Sequence, residues 1–134
     1  MIVRSGITLL ELLAVVVVIG ILAVIAIPNL RRVVEQSYWR EAQGLLQTIH
    51  DGEQQYFDKE DTYKYPLDNT SPMPDWRTIY MDDPHSTSVP VTFEVDSPSL
   101  DPTKFEARAT YTPTGDQMTI DQNGILDTSG WPLP

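Results

Sequence analysis

The first part of the chain is apolar at almost every position. From Ile7 to Ile27 the only charged side chain is Glu11, and the run has the length of roughly 20 residues that an α-helix needs to cross the hydrocarbon core of a membrane. A charged side chain within hydrocarbon costs roughly 2.5 to 3.5 kcal/mol, so it is retained where it has a function. The pattern therefore predicts a membrane-spanning helix in which Glu11 needs a partner of opposite charge.

The next part keeps a helical period but is apolar on one side only. After Pro28, apolar side chains recur mostly at steps of three or four residues, which is the spacing of an amphipathic helix. The stripe consists of Val34, Tyr38, Ala42, Leu45, Ile49 and Tyr56, and Gly52 and Glu53 interrupt it. We expect the helix to persist to about Asp58 or Glu60 and to pack its second half on the remainder of the chain.

The remainder of the chain, from Asp61 onward, has the composition of turns and strands, with Pro, Ser, Thr and Asp between alternating apolar residues. Turns are expected at Thr114–Asp116 and Asn123–Gly124, because Gly, Asn and Asp tolerate a positive φ. The predicted strands are Arg77–Met81, Pro90–Val95, Phe105–Tyr111 and Gln117–Ile120, with a final extended piece at Gly124–Leu126. Short strands joined by tight turns predict an antiparallel sheet, and this sheet packed on the long helix gives an α+β fold.

The amino-acid composition limits the ways in which the small C-terminal domain is stabilised. The chain has no cysteine, so disulfides cannot staple a domain of a size that often needs them. The core must therefore come from packing of large side chains. The candidates are Trp39, Trp76, Tyr80 and Trp131.

Charge and residue types argue against several functions. The net charge is −10, with most of the acid beyond residue 50, whereas phosphate binding needs clustered Lys and Arg. We therefore expect no nucleic acid to be bound by this chain directly. His50 and His85 are its two histidines, and no catalytic spacing stands out. The sequence predicts neither an enzyme nor a cofactor, and His50 is expected on the surface of the long helix.

An acidic run near the C-terminus could in principle form a calcium-binding site. Asp121, Asn123 and Asp127 offer oxygen ligands, but the remaining ligands of an EF-hand loop are missing. A tight turn capped by Asp and Asn is the preferred interpretation, and no metal site is predicted. Whether other acids approach one another in space stays open at this point. They are Asp82, Asp83, Asp96 and Asp101.

The N-terminal region also resembles a known family. The short basic leader Met1–Gly6, the following Ile-Thr-Leu-Leu-Glu and the proline that closes the apolar run resemble the class III signal of type IV pilins and pseudopilins. The far end of the run, Ala26–Pro28, is unlike the Ala-x-Ala site of an ordinary secretory signal. The resemblance implies residues 1–6 as leader, 7–28 as membrane-spanning half-helix, 29–60 as amphipathic half-helix and 61–134 as globular head.

The resemblance implies roles for particular residues. A membrane-embedded prepilin peptidase would cut between Gly6 and Ile7 and methylate the new amine of Ile7, although the family usually has Phe at this first mature position. Glu11 becomes the fifth mature residue, which would pair with the Ile7 amine of a neighbouring subunit during assembly, or of its own chain in the finished filament. Thr8 would donate a hydrogen bond to the same carboxylate. Gly20 and Pro28 both weaken a helix. The segment between them is expected to melt during assembly, with a simple kink as the alternative.

The function implied is that of a major pilin, the structural subunit of a bacterial type IV pilus. Its partners would be copies of itself, the prepilin peptidase, the pilus assembly machinery and, before assembly, the inner membrane. Its final location would be a cell-surface filament. Two alternatives remain open: a major pseudopilin of a type II secretion or competence system, and a minor tip pilin whose head binds a partner.

Overall fold

A computed structural model describes residues 7–133 of the chain. The predicted leader 1–6, with Gly6, lies outside the described residues. The chain divides into two compact units, one ending at Glu35 and the other, here called the head unit, running from Gln36 onward. The helices are α1 (Leu9–Glu60), α2 (Met73–Thr78) and a 3-10 turn at Pro84–Ser86, and the strands are β1 (Val91–Asp96), β2 (Glu106–Tyr111), β3 (Asp116–Asp121) and β4 (Leu126–Asp127).

The four strands form one antiparallel meander in the order β1-β2-β3-β4. Phe93 lies opposite Ala109, which lies opposite Met118, and all three are buried on one face of the sheet. Gly115 and Gly124 have φ values of 81° and 75°, as the predicted turns require. The α+β prediction is confirmed, and the four strands lie within two residues of their predicted bounds.

The core of the head unit lies between α1 and the sheet. The helix contributes Ala42, Leu46 and Ile49, all fully buried. The other large, fully buried side chains include Trp76, Phe93, Phe105, Met118 and Ile120. Because the buried helical positions follow steps of three or four residues, one face of α1 supplies one wall of the core.

The predicted aromatic packing is confirmed for Trp76 and Trp131, which are 0% and 3% exposed. The Trp39 indole N–H donates to the Trp131 carbonyl oxygen at 2.9 Å, and Tyr111 stacks on Trp131 with ring centroids 5.1 Å apart. The prediction is wrong for Tyr80, which is 51% exposed. Its φ of 63° and a bond from the Lys59 ammonium to its hydroxyl hold its side chain outside the core.

The strand predicted at Arg77–Met81 is wrong, because residues 73–78 form helix α2. Pro72 is the N-cap of this helix and a second proline lies in its first turn, where the backbone N–H that proline lacks is not needed. Asp75 also lies in this first turn. Trp76 and Ile79, three residues apart, are both fully buried. The Ile and Tyr side chains that favoured a strand thus lie at and just beyond the end of a short helix.

Gly52 and Glu53 do not interrupt the apolar face of α1 but lie on it, and both are buried. A Cβ at Gly52 would collide with the carbonyl oxygen of Ile79, so the lack of a side chain lets α1 approach the end of α2 closely. Glu53 is 0% exposed. The predicted gap in the apolar stripe is therefore wrong, and the helix brings the Glu53 carboxyl group into the core.

Candidate functional site

The N-terminal part of α1 exposes its apolar side chains on all sides. Ile7 is 77% exposed, Leu13 is 62% exposed and Val33 is 62% exposed. By length and composition the helix is able to cross a membrane. Such a surface is unfavourable in water, and within hydrocarbon a helix satisfies all its backbone groups internally, even where β-branched residues dominate. The segment therefore fits lipid or other apolar helices as its surroundings.

Thr8 begins this helix. Its hydroxyl accepts a hydrogen bond from the backbone N–H of Glu11 at 3.2 Å, and its carbonyl oxygen accepts from the N–H groups of Glu11 and Leu12 at 3.1 Å. A Thr followed three residues later by Glu is the spacing of a capping box. Sequence reasoning missed this N-cap role although the Thr-x-x-Glu signal was present. The predicted bond from Thr8 to the Glu11 carboxylate remains a prediction.

Glu11 lies beside a groove on the surface of the same helix. This groove has a volume of about 300 Å³ and is lined by Glu11, Ala14, Val15, Val18 and Ile19. The carboxylate is the one ionisable group in that lining. A carboxylate in apolar surroundings is costly unless it is paired. The groove thus combines an apolar contact surface with one charge that needs a cation.

Gly20 and Pro28 lie within α1, which is continuous from Leu9 to Glu60. A side chain at Gly20 would meet no other atom of residues 7–133 within 4 Å, so no close approach within that range requires this glycine. The expected melting between the two residues concerns an assembled filament and remains a prediction.

The acidic run near the C-terminus is engaged in a turn. The Asp121 carboxylate accepts from the N–H groups of Asn123 and Ile125 at 3.0 and 2.8 Å, and from the Asn123 side-chain amide at 3.0 Å. Partial burial acts to raise the pKa of Asp121, but these hydrogen bonds outweigh it and lower the pKa below its usual value. The contacts are those of a capped turn.

Three of the four other acids considered as calcium ligands accept hydrogen bonds from nearby backbone N–H groups. Asp83 accepts from the backbone N–H of His85 at 2.9 Å, Asp96 from Ser97 at 2.7 Å, and Asp101 from Thr103 at 2.9 Å. Within residues 7–133 no group of three or more His, Cys, Asp or Glu side chains is arranged to hold a metal ion.

His50 is less exposed than expected. Its side chain is 18% exposed, its ring centroid is 6.1 Å from that of Phe105, and its Nδ1 is 3.2 Å from an Asp51 carboxylate oxygen. His50 lies on helix α1 as expected but is partly buried, because it packs where the β3–β4 turn at Gly124 approaches the helix.

Glu53 is the ionisable residue that sequence reasoning passed over. Its Oε2 accepts a hydrogen bond from the Lys64 backbone N–H at 2.7 Å, and its Oε1 is buried with no hydrogen-bond partner among the residues that the structure describes. Burial raises the pKa of Glu53 to about 8, although the Lys64 hydrogen bond and charge act to lower it. Its position four residues after Ile49 was the signal that placed it on the buried face.

Comparison with known proteins gives one informative relative. Over 60 residues the chain is 41% identical to the type IV major pilin protein PilA of Myxococcus xanthus (strain DK1622), and the match covers 45% of this chain and 27% of that protein. The chain is related to a type IV pilin. This finding and the long apolar helix confirm the resemblance to the family. The chain thus spans about a quarter of the length of this relative. No family model matches the chain, and no solved structure matches it.

Proposed function

We propose that this chain is a structural subunit of a bacterial type IV pilus, a major pilin that polymerises through its N-terminal helix. The observation that carries the proposal is the exposure of apolar side chains on every side of that helix. Filament assembly would bury this surface against copies of itself, as membrane lipid does before assembly. Relation to a major pilin supports the same role, which is structural and not enzymatic.

Glu11 is the proposed docking residue, and its partner is the amine of Ile7 on a neighbouring subunit. Cleavage after Gly6 would create this amine, which carries a positive charge at neutral pH. Two opposite charges in apolar surroundings attract strongly, and each is costly if left alone. An arriving subunit is therefore drawn to the position at which both are paired. Thr8, as N-cap, fixes the start of the helix that carries Glu11.

The proposed course begins in the inner membrane, where the prepilin peptidase removes residues 1–6 and methylates the Ile7 amine. The pilus assembly machinery then moves the subunit into the filament, and the segment between Gly20 and Pro28 melts as it leaves the membrane. The finished product is a homopolymer on the cell surface. A pseudopilin of a secretion system would share the early steps, but its filament stays short and within the envelope.

The test replaces Glu11 by alanine in the native cells. The Glu11→Ala variant should reach the membrane in normal amounts, because it removes the one charge in the span, yet it should be absent from sheared filaments. Glu11→Asp, which keeps the charge, should retain part of the assembly. Glu35→Ala, a matched glutamate on the same helix outside the apolar run, should assemble normally.

Membrane fractions and sheared fractions are compared by immunoblot. Normal filaments from Glu11→Ala cells would refute the docking role. A wild-type chain that stays in the cell envelope and never enters the sheared fraction would instead favour a pseudopilin.

A further inference from the structure

Several hydrogen bonds hold the chain segment after α1 on the rest of the head. This segment, residues 61–67, is here called the strap. The Tyr63 N–H donates to the Pro102 carbonyl oxygen at 3.1 Å, and Leu67 exchanges two backbone hydrogen bonds with Val95 of β1 at 2.9 and 2.6 Å.

A further hydrogen bond runs from the Lys64 backbone N–H to the Glu53 carboxyl group. Helix α1 also contacts the strap through Gln54, whose Nε2 donates to the Tyr63 hydroxyl at 3.2 Å, and through the Phe57 ring, which stacks on Tyr63. Among these α1 contacts, Glu53 is the ionisable one.

The surroundings of Glu53 favour the neutral form of its carboxyl group. The residue is 0% exposed, and an ionised carboxylate that leaves water needs several donors or a close cation. The Lys64 N–H is a donor to one oxygen, and Oε1 has none among the described residues. A proton on Oε1 removes the charge and leaves Oε2 free to accept from Lys64.

The charged groups around Glu53 do not offset its burial. Lys64 is the cation that acts on it, and its charge and hydrogen bond are outweighed by desolvation, which raises the pKa of Glu53 to about 8. His50 and His85 contact other acids, namely Asp51 and Asp83. The large side chains that α2 and the sheet bury in the core are apolar.

We propose that Glu53 is a protonation-dependent latch that closes the strap on helix α1 when its carboxyl group is neutral and loosens it when that group ionises. Loosening follows because a charged carboxylate gains hydration only by leaving its buried position, which breaks the bond to Lys64. The strap also covers the edge of β1 through Leu67, so its release opens that edge.

The sign of the pH dependence follows from the two protonation states. The folded head holds the proton up to about pH 8, whereas the unfolded chain releases it near the ordinary value of 4.5. The latch therefore contributes its full stability below pH 4.5 and loses it as the pH rises to 8. Weakly alkaline conditions are the range in which the strap should loosen.

The direct test is a titration of the full chain in detergent micelles, with ¹³C-labelled glutamate side chains observed by NMR. One carboxyl signal, absent in the Glu53→Gln variant, should titrate with a midpoint near pH 8. A midpoint below pH 6 for that signal would overturn the proposal. If the variant fails to fold, sequential assignment of the wild-type chain identifies the Glu53 signal, so the question is still decided.

A second test follows the strap itself by limited digestion with trypsin, which cleaves after Lys64. The ionised fraction of a group with a pKa near 8 rises about tenfold between pH 7 and pH 9. Cleavage at Lys64, divided by that of Glu53→Gln at the same pH, should rise by about the same factor. The glutamine side chain of this variant keeps an oxygen for the Lys64 N–H but cannot ionise.

The matched control for the digestion is Glu41→Gln, which changes an exposed glutamate on the same helix and should behave like wild type. Equal cleavage of wild type and Glu53→Gln at both pH values would show that the latch does not exist.

Discussion

The two units of this protein differ in how far their apolar side chains are exposed to solvent. In the N-terminal unit, residues such as Leu13 and Ile21 are 62% and 59% exposed, whereas in the head unit Leu46 and Ile49 are fully buried. Both sets lie on the same helix α1. The helix is thus stabilised by different surroundings along its length. The head has its own core, and the exposed apolar surface of the N-terminal segment fits lipid or other apolar helices as its surroundings.

The largest expected effect comes from removing a core side chain of the head. Phe93→Ala should lower the free energy of unfolding by about 3 to 5 kcal/mol, because it removes buried apolar area and leaves a cavity. Urea unfolding of the full chain in micelles, followed by tryptophan fluorescence, measures this loss.

Leu13→Ala is the matched change in the exposed segment, and it should leave the unfolding midpoint of the head unchanged. A comparable loss of stability in both variants would break the distinction between the two units.

A smaller effect is expected from two glycines of α1 that differ in their surroundings. Gly52→Ala should destabilise the head by about 1 to 3 kcal/mol, because the new methyl group meets the Ile79 carbonyl oxygen. At Gly44 the same methyl group meets no atom within 4 Å. Gly44→Ala should therefore stabilise the helix by up to about 1 kcal/mol. The two unfolding midpoints should shift in opposite directions, and shifts of the same sign would contradict the close approach of α1 and α2.

The smallest expected effect is a change in thermal stability at acidic pH. Hydrogen bonds lower the pKa of Asp121 below its ordinary value of 3.8, so the carboxylate contributes stability above pH 3.8 that is lost as the pH falls through its lower folded value. Asp121→Asn should unfold at a lower temperature than wild type at pH 7, and the gap should narrow at pH 3. Calorimetry measures the unfolding temperatures of wild type and variant at both pH values. Asp58→Asn, at an exposed position of α1, should unfold at the same temperature as wild type. If the difference between wild type and Asp121→Asn stayed the same at pH 3, the Asp121 carboxylate would not be its cause.

Sequence reasoning succeeded where the signals are local. The end of α1, the sheet and its turns follow from the period of apolar residues and from glycines such as Gly115 and Gly124, whose positive φ values the turns need. It failed at residues 77–81, where β-favouring side chains outweighed the proline and aspartate signals of a helix start. Strand propensity depends on context that a single segment does not contain.

The buried glutamate shows a different reason for failure. The sequence predicts an interruption of the apolar stripe at Glu53, because charged residues are seldom fully buried. Its hydrogen-bond partner is the backbone of Lys64, eleven residues further along the chain, and nothing local to the helix indicates that contact. For the proposed docking site the case is reversed. Glu11 is evident from the sequence, whereas its proposed partner, the Ile7 amine, would belong to another subunit.

The central claim, that this chain is processed and polymerises through its exposed apolar helix, is tested most directly by intact-protein mass spectrometry of filaments sheared from the native cells. The account predicts an abundant chain whose mass corresponds to a start at Ile7 with one methyl group on its amine. A chain that retains Met1, or the absence of this chain from the sheared fraction, would contradict it.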